Sequence, residues 1–146
     1  MPAIELEITR RTALLVFCAA PTLAADPAQE AWELITTLAA ALGRADAGEF
    51  LSVCDSAMPG YETLRVSVSA LVAQAEVESG VDPAENSGDG RARTAVVDWQ
   101  LQLVDRTGLQ RVTRRRENVH LSLEKRGRKW RVDRIEPLGF FAPLSA

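Results

Sequence analysis

The last third of the chain contains long runs in which apolar and polar residues alternate, and these runs constrain the fold most. A period of two places every second side chain on one face of an extended strand, as in antiparallel strands that cover a core. The runs predict strands over about residues 91–104, 110–124 and 129–135. The predicted core-facing positions are Ala95, Val97, Trp99, Leu101, Leu103, Val119, Leu121, Leu123, Trp130 and Val132.

Helical signals precede the strands. Asp26 followed by Pro27 is a strong helix start, because Asp accepts hydrogen bonds from free amides and Pro suits the first helical position. Apolar residues then recur at helical spacing, and Gly43 is placed to end this helix. A further amphipathic helix starts at Tyr61, and near Ala75 the period changes to two. The order predicts an α+β fold in which N-terminal helices pack in a curved antiparallel sheet.

Two irregularities are expected within the strand region. Residues 82–90 are polar and rich in turn formers, which predicts a loop. Ile135 has the opposite parity from Trp130 in the same run, which predicts a β-bulge near Asp133 or Arg134.

Residues 1–25 have the features of an export signal. Arg10 and Arg11 precede a short apolar run, and small residues follow as far as Ala25. The run is much shorter than the roughly 20 residues of a membrane-spanning helix, so no membrane span is predicted. The paired arginines also resemble a twin-arginine signal. We expect export to the periplasm or the cell exterior and a single domain over residues 26–146; an N-terminal helix kept in the fold is the alternative.

Charge and cysteine content exclude several classes of function. The net charge of −3 argues against nucleic-acid binding, and the basic run at residues 114–116 is interpreted as a solvated or locally paired strand segment. Removal of residues 1–25 would leave Cys54 as the single cysteine, which lies in an apolar pattern typical of a buried small residue. No metal-ligand spacing, phosphate loop or dinucleotide fingerprint occurs, so no metal and no cofactor are predicted.

Several segments resemble the nuclear transport factor 2-like superfamily, which includes SnoaL-like and ketosteroid isomerase-like proteins. They are Asp46 with Phe50-Leu51, the break Met58-Pro59-Gly60-Tyr61 and the closing strand Trp130-Arg131-Val132. The resemblance covers about residues 26–143 and identifies an exported bacterial member. It implies a cone-shaped domain whose curved sheet wraps helices around a pocket. Known members are isomerases, dehydratases, polyketide cyclases, ligand binders and association modules, so the fold does not select one function.

Catalytic members of this superfamily carry Asp, His or Tyr in the pocket. Here Asp98 and His120 have the outward parity, and the single tyrosine, Tyr61, lies at a helix start. Glu117 has the inward parity and is a weak catalytic candidate, because a carboxylate buried in a pocket can act as a general base. The predicted ligand pocket consists of Trp99, Arg93, Arg115, Glu117, Tyr61 and Trp130.

Two functions follow as hypotheses. The favoured one is a non-catalytic exported domain that binds a small apolar or amphipathic ligand or a partner, or that serves as an association module. The alternative is an isomerase, dehydratase or hydrolase that uses Glu117 with Arg115 or Arg93. An open cavity around a buried Glu117 would favour the enzyme, whereas a cavity filled by Trp99, Trp130 and leucines would argue against it.

The outward positions of the two longest strands are mostly uncharged, although 25% of all residues are charged. Uncharged polar groups are desolvated at lower cost than charged groups. We therefore expect a homodimer through this face, with Asp98, Arg114 and Arg116 at its rim or paired across it. The uncharged outward positions are Val96, Gln100, Gln102, Asn118, His120 and Ser122.

Overall fold

The computed structural model describes residues 26–145, so the predicted export signal lies outside the described residues. The helices are α1 (Pro27–Gly43), α2 (Ala47–Ser52) and α3 (Tyr61–Gln74). The strands are β1 (Ala75–Gly88), β2 (Ala92–Asp105), β3 (Val112–Arg126) and β4 (Lys129–Glu136), followed by a 3-10 helix, Leu138–Phe141. The four strands form one curved antiparallel sheet in the order β1-β2-β3-β4. The α+β architecture is as the sequence predicts.

The first two helices each begin at an aspartate that caps them. Asp26 Oδ1 accepts a hydrogen bond from the Ala28 amide at 3.0 Å, and Asp46 Oδ1 accepts one from the Glu49 amide at 2.9 Å. Each bond satisfies an amide that has no partner inside its helix. The first helix ends at Gly43, as the sequence predicts.

The strand pattern is confirmed by burial. One face of the sheet, here called the inner face, packs on the helices, and the opposite face is called the outer face. All ten predicted core-facing positions are buried, and none is more than 8% exposed. The helices contribute a second layer to the same core, which includes Ile35, Leu38, Leu42, Phe50, Leu64, Val68 and Leu71.

β1 is longer than the sequence predicts, because residues 82–90 are not a loop throughout. β1 continues to Gly88, with one bulge at Ala84, and pairs with β2 as far as Arg93. The stretch is polar because it forms the edge of the sheet, where most of these side chains are exposed. Gly88 has a φ of 132°, and a Cβ there would lie 2.4 Å from the carbonyl oxygen of Ala92, so this turn requires glycine.

β4 contains the β-bulge that the parity change predicts. Asp133 is the extra residue, since the pairing register shifts between Ser122 and Leu123 on β3. The bulge returns Ile135 to the inner face, where it is 1% exposed.

Candidate functional site

The space between the sheet and the helices, where the resemblance implies a pocket, is filled by aromatic rings. We call Trp99, Phe50, Phe140 and Phe141 the aromatic cluster. The Trp99 ring centroid lies 5.1 Å from that of Phe141 and 6.1 Å from that of Phe140. Phe50 contacts Phe141 from the helix side at 5.6 Å. Trp99, predicted to line a pocket, instead occupies the interior.

Both buried tryptophans on the sheet satisfy their polar atoms. Trp99 Nε1 donates to the Ser79 hydroxyl at 3.0 Å. Trp130 is 8% exposed, and its Nε1 donates to Glu30 Oε1 at 2.9 Å. The hydrogen bond from Trp130, together with the nearby Lys125 ammonium, lowers the pKa of the Glu30 carboxyl group. Buried tryptophans usually donate their N–H group to a nearby acceptor in this way, so both residues have a structural role in the core.

Arg115 holds the C-terminal segment, residues 137–145, against the open end of the interior. Its Nη1 donates to the carbonyl oxygens of Phe140 at 2.9 Å and Ala142 at 2.6 Å. Gln74 Oε1 accepts a hydrogen bond from the Leu144 amide at 2.8 Å, so a second side chain anchors the same segment. Burial lowers the pKa of Arg115. The guanidinium group of Arg115 therefore donates to carbonyl oxygens of the chain itself and not to a ligand.

Glu117 is exposed, although its parity places it on the inner face opposite Trp99. The reason is the length of β4, which pairs with β3 only from His120 onward. Among residues 26–145, Glu117 forms no ion pair with Arg115 or Arg93. The enzyme hypothesis requires a carboxylate that is buried in a cavity, and the exposed Glu117 does not meet this requirement.

Arg93 and Tyr61 have structural contacts of their own. Arg93 is 8% exposed, and its Nε donates to Asn86 Oδ1 at 3.0 Å. Asn86 Nδ2 in turn donates to the Ala28 carbonyl oxygen at 2.9 Å, which ties the end of β1 to the start of α1. Tyr61 is half-buried at the start of α3 and packs on the core. The six residues predicted as a pocket do not converge on one site.

Cys54 is a buried small residue, as the sequence predicts. It is 4% exposed, and burial raises the pKa of its thiol to about 12. The neutral thiol is therefore the form present near neutral pH, and it is a poor nucleophile.

Within residues 26–145, no three or more His, Cys, Asp or Glu side chains are grouped to hold a metal ion. No helix in the same part of the chain is both long and apolar enough to cross a membrane.

The outer face of the sheet carries charges of opposite sign on its two sides. β1 presents only acidic charges there, β2 presents mainly uncharged side chains, and β3 presents arginines near its start. One cross-strand row shows this order directly, since Glu78 lies beside Gln102 and Gln102 lies beside Arg114. The acidic residues of β1 on this face are Glu76, Glu78, Asp82 and Glu85.

The two charges in the middle of the outer face pair with each other. Arg116 Nε donates to Asp98 Oδ1 at 3.0 Å, and Arg116 Nη2 donates to Asp98 Oδ2 at 2.6 Å. The hydrogen bonds from Arg116 lower the pKa of the Asp98 carboxyl group. The pair leaves the centre of the face without net charge.

Three surface hollows converge on the first half of β3. The outer hollow, of about 580 Å³, is lined by residues that include Glu78, Gly80, Gln102 and Arg114. The end hollow, of about 530 Å³, lies between residues 114–117 and the C-terminal segment. A third, of about 340 Å³, is lined by residues 116–118 together with Asp98. Sequence reasoning missed these hollows, because they depend on sheet curvature and on where β4 stops.

No family model and no curated protein sequence matches the chain. A nuclear transport factor 2-like superfamily protein from Salmonella enterica superimposes with a TM-score of 0.61 at 17% identity, over 80% of this chain and 90% of that chain. A ketosteroid isomerase-like protein from Erwinia carotovora does so with a TM-score of 0.64 at 11% identity, over 75% and 93% of the two chains. A conserved protein from Planctomyces limnophilus has a TM-score of 0.66 at 11% identity, over 73% and 91%.

Similarity at these identities carries information about architecture only. The superpositions show a shared overall fold, and the resemblance in the sequence is confirmed at this level. The chain therefore has the fold of the nuclear transport factor 2-like superfamily.

Proposed function

We propose that this protein is an exported, non-catalytic association domain that forms a homodimer through the outer face of its sheet. The observation that carries the proposal is the charge arrangement of this face, acidic along β1 and basic near the start of β3. A surface of this kind is complementary to a second copy of itself.

A two-fold axis that runs along β2 between two stacked sheets brings β1 of one copy over β3 of the other. This rotation keeps each cross-strand row at the same position along the strands and exchanges the two sides of the sheet. Glu78 of each copy therefore faces Arg114 of the other copy, which gives two such pairs in the dimer. Gln102 then lies beside its own counterpart, where two amide side chains can exchange hydrogen bonds. Gly80 has no side chain, which leaves the outer hollow open for a side chain from the second copy.

The filled interior supports the non-catalytic part of the proposal. The aromatic cluster occupies the space in which a substrate would lie, and Glu117 is exposed to solvent. The outer face, with its hollow and its mainly uncharged centre, is then the surface that is suited to binding.

Charge reversal at one side of the proposed interface should break the dimer, and reversal at both sides should restore it. Glu78→Lys and Arg114→Glu are each expected to weaken dimerisation at least tenfold, because each places two like-charged pairs in the interface. The double variant Glu78→Lys/Arg114→Glu recreates opposite charges and should dimerise nearly as well as the wild type. Sedimentation equilibrium over micromolar concentrations measures all three.

Two variants with the same charge changes elsewhere serve as controls. Glu33→Lys on α1 and Arg128→Glu in the turn before β4 lie away from the outer face and should leave dimerisation unchanged. A wild-type monomer throughout the concentration range, or a double variant that stays monomeric while folded, contradicts the proposal.

Export is the second part of the proposal, and its support comes from the signal pattern and from the helix start beside it. The capped helix α1 begins directly after the proposed cleavage region that ends at Ala25. Intact-mass measurement of protein recovered from the cell envelope should give a chain that begins at Ala25 or Asp26. A chain that begins at Met1 would refute cleavage. Replacing Arg10 and Arg11 by Lys should block transport only if the twin-arginine route is used.

A further inference from the structure

The first half of β3 is an open strand edge. On one side it pairs with β2 along its whole length, but on the other side β4 pairs with it only from His120 onward. Residues 112–119 therefore have no strand beside them on that side within residues 26–145. Such an edge offers backbone donors and acceptors to an added strand.

The hydrogen-bond pattern of the hairpin shows which backbone groups point to this edge. The Asp105 amide donates to the Arg111 carbonyl oxygen at 3.0 Å, and bonded and non-bonded pairs alternate along an antiparallel ladder. By this alternation Thr113, Arg115 and Glu117 bond to β2. The N–H and C=O groups of the intervening residues, Arg114, Arg116 and Asn118, point away from β2 and form no backbone hydrogen bond to the C-terminal segment.

The space beside this edge is open. The end hollow, of about 530 Å³, separates residues 114–117 from Pro137 and Phe140 of the C-terminal segment. The position that β4 would occupy if it were longer is therefore vacant over several residues.

The charge beside the edge is positive. Arg114 is exposed and forms no ion pair within residues 26–145, and Arg111 likewise forms none in this part of the chain. Glu117 carries a negative charge in the same stretch, but its side chain lies on the inner face, whereas that of Arg114 lies on the outer face. An added strand with carboxylates at alternate positions would place them beside Arg114 and Arg116.

We infer that the β3 edge binds an acidic extended segment of a partner protein by strand addition. Backbone hydrogen bonds to Arg114, Arg116 and Asn118 provide the pairing, and the arginine side chains select acidic residues on the outer side. This interaction goes beyond the proposed homodimer, because its backbone pairing uses the edge of the sheet, and it shares only the Arg114 side chain with the proposed dimer contact.

The probe is a blocked seven-residue peptide that alternates valine with glutamate, titrated into the protein and followed by backbone NMR. At saturation, hydrogen exchange of the Arg114, Arg116 and Asn118 amides should slow at least tenfold. Asn118→Pro removes one edge donor without breaking the ladder to β2, and it should weaken binding at least tenfold. The control Asn118→Ser keeps the amide and should bind as the wild type does.

Two further binding experiments test whether the peptide binds at the β3 edge or at another surface. A peptide with lysine in place of glutamate should bind at least tenfold more weakly. Equal binding of the two peptides would overturn the inference that the partner segment is acidic. Glu78→Lys, which breaks the proposed dimer contact but leaves the edge, should keep peptide binding. Absence of binding up to millimolar peptide, or binding that a folded Asn118→Pro variant retains in full, would overturn strand addition.

Discussion

Replacing Trp99 by Ala is expected to lower the free energy of unfolding by about 3–5 kcal/mol, as for other fully buried large side chains. Trp99 is 0% exposed, contacts Phe140 and Phe141, and donates to the Ser79 hydroxyl, so truncation leaves a cavity and removes that hydrogen bond. Small domains have a total stability of about 5–15 kcal/mol, so much of it would be lost.

Urea unfolding of the purified variant, followed by circular dichroism, measures this loss. Trp130→Ala should also be costly, at the lower end of the same range, because Trp130 lies nearer the surface at 8% exposed. Val66→Ala on α3 is the control, since Val66 is 52% exposed and its truncation should change stability by no more than about 0.5 kcal/mol. Melting temperatures lowered by only a degree or two in both tryptophan variants would mean that the strand parity is wrong.

Replacing Phe141 by Ala is expected to cost about 3–5 kcal/mol as well, for a different reason. Phe141 lies beyond the last strand and touches the other three rings of the aromatic cluster, with centroid distances of 5.6 Å to Phe50, 5.1 Å to Trp99 and 5.1 Å to Phe140. Its loss removes the aromatic contacts of the C-terminal segment with the interior and leaves the hydrogen bonds of Arg115 and Gln74 to hold that segment.

A double-mutant cycle with Trp99→Ala tests whether the two rings act together. Because they are in direct contact, the combined loss should differ from the sum of the single losses by about 0.5–3 kcal/mol. Leu109→Ala, at a position that is 83% exposed, is the matched control and should leave stability unchanged. A folded Phe141→Ala variant of wild-type stability would show that the C-terminal segment does not fill the interior.

Much of the fold could be predicted because its signals are local. Strand parity assigned Val97, Trp99 and Leu121 to the core correctly, since every second residue of a paired strand faces the same layer. The parity change at Ile135 predicted the bulge at Asp133 for the same reason. Both inferences need only the geometry of an extended backbone.

The predicted site could not be assigned in the same way. Parity places Glu117 and Arg115 on the inner face, but it does not say whether another element covers that part of the strand. β4 stops short of Glu117, which leaves that residue exposed, whereas the C-terminal segment folds back onto Arg115. The sequence also did not indicate that β1 extends beyond residue 82. An edge strand can pair through its backbone without burying side chains, so it need not show alternating apolar residues.

The sequence by itself determined the order of elements, the helix starts and the residues that form the core, because each follows from a local signal, either a capping residue or a periodic pattern. Only the tertiary structure decided what fills the interior and which surface remains for binding. Phe140 and Phe141 reach Trp99 across about forty residues of chain, and Glu78 and Arg114 share a row through the register of three strands. Contacts between distant segments depend on where each strand ends and how the sheet curves, and no local pattern encodes either.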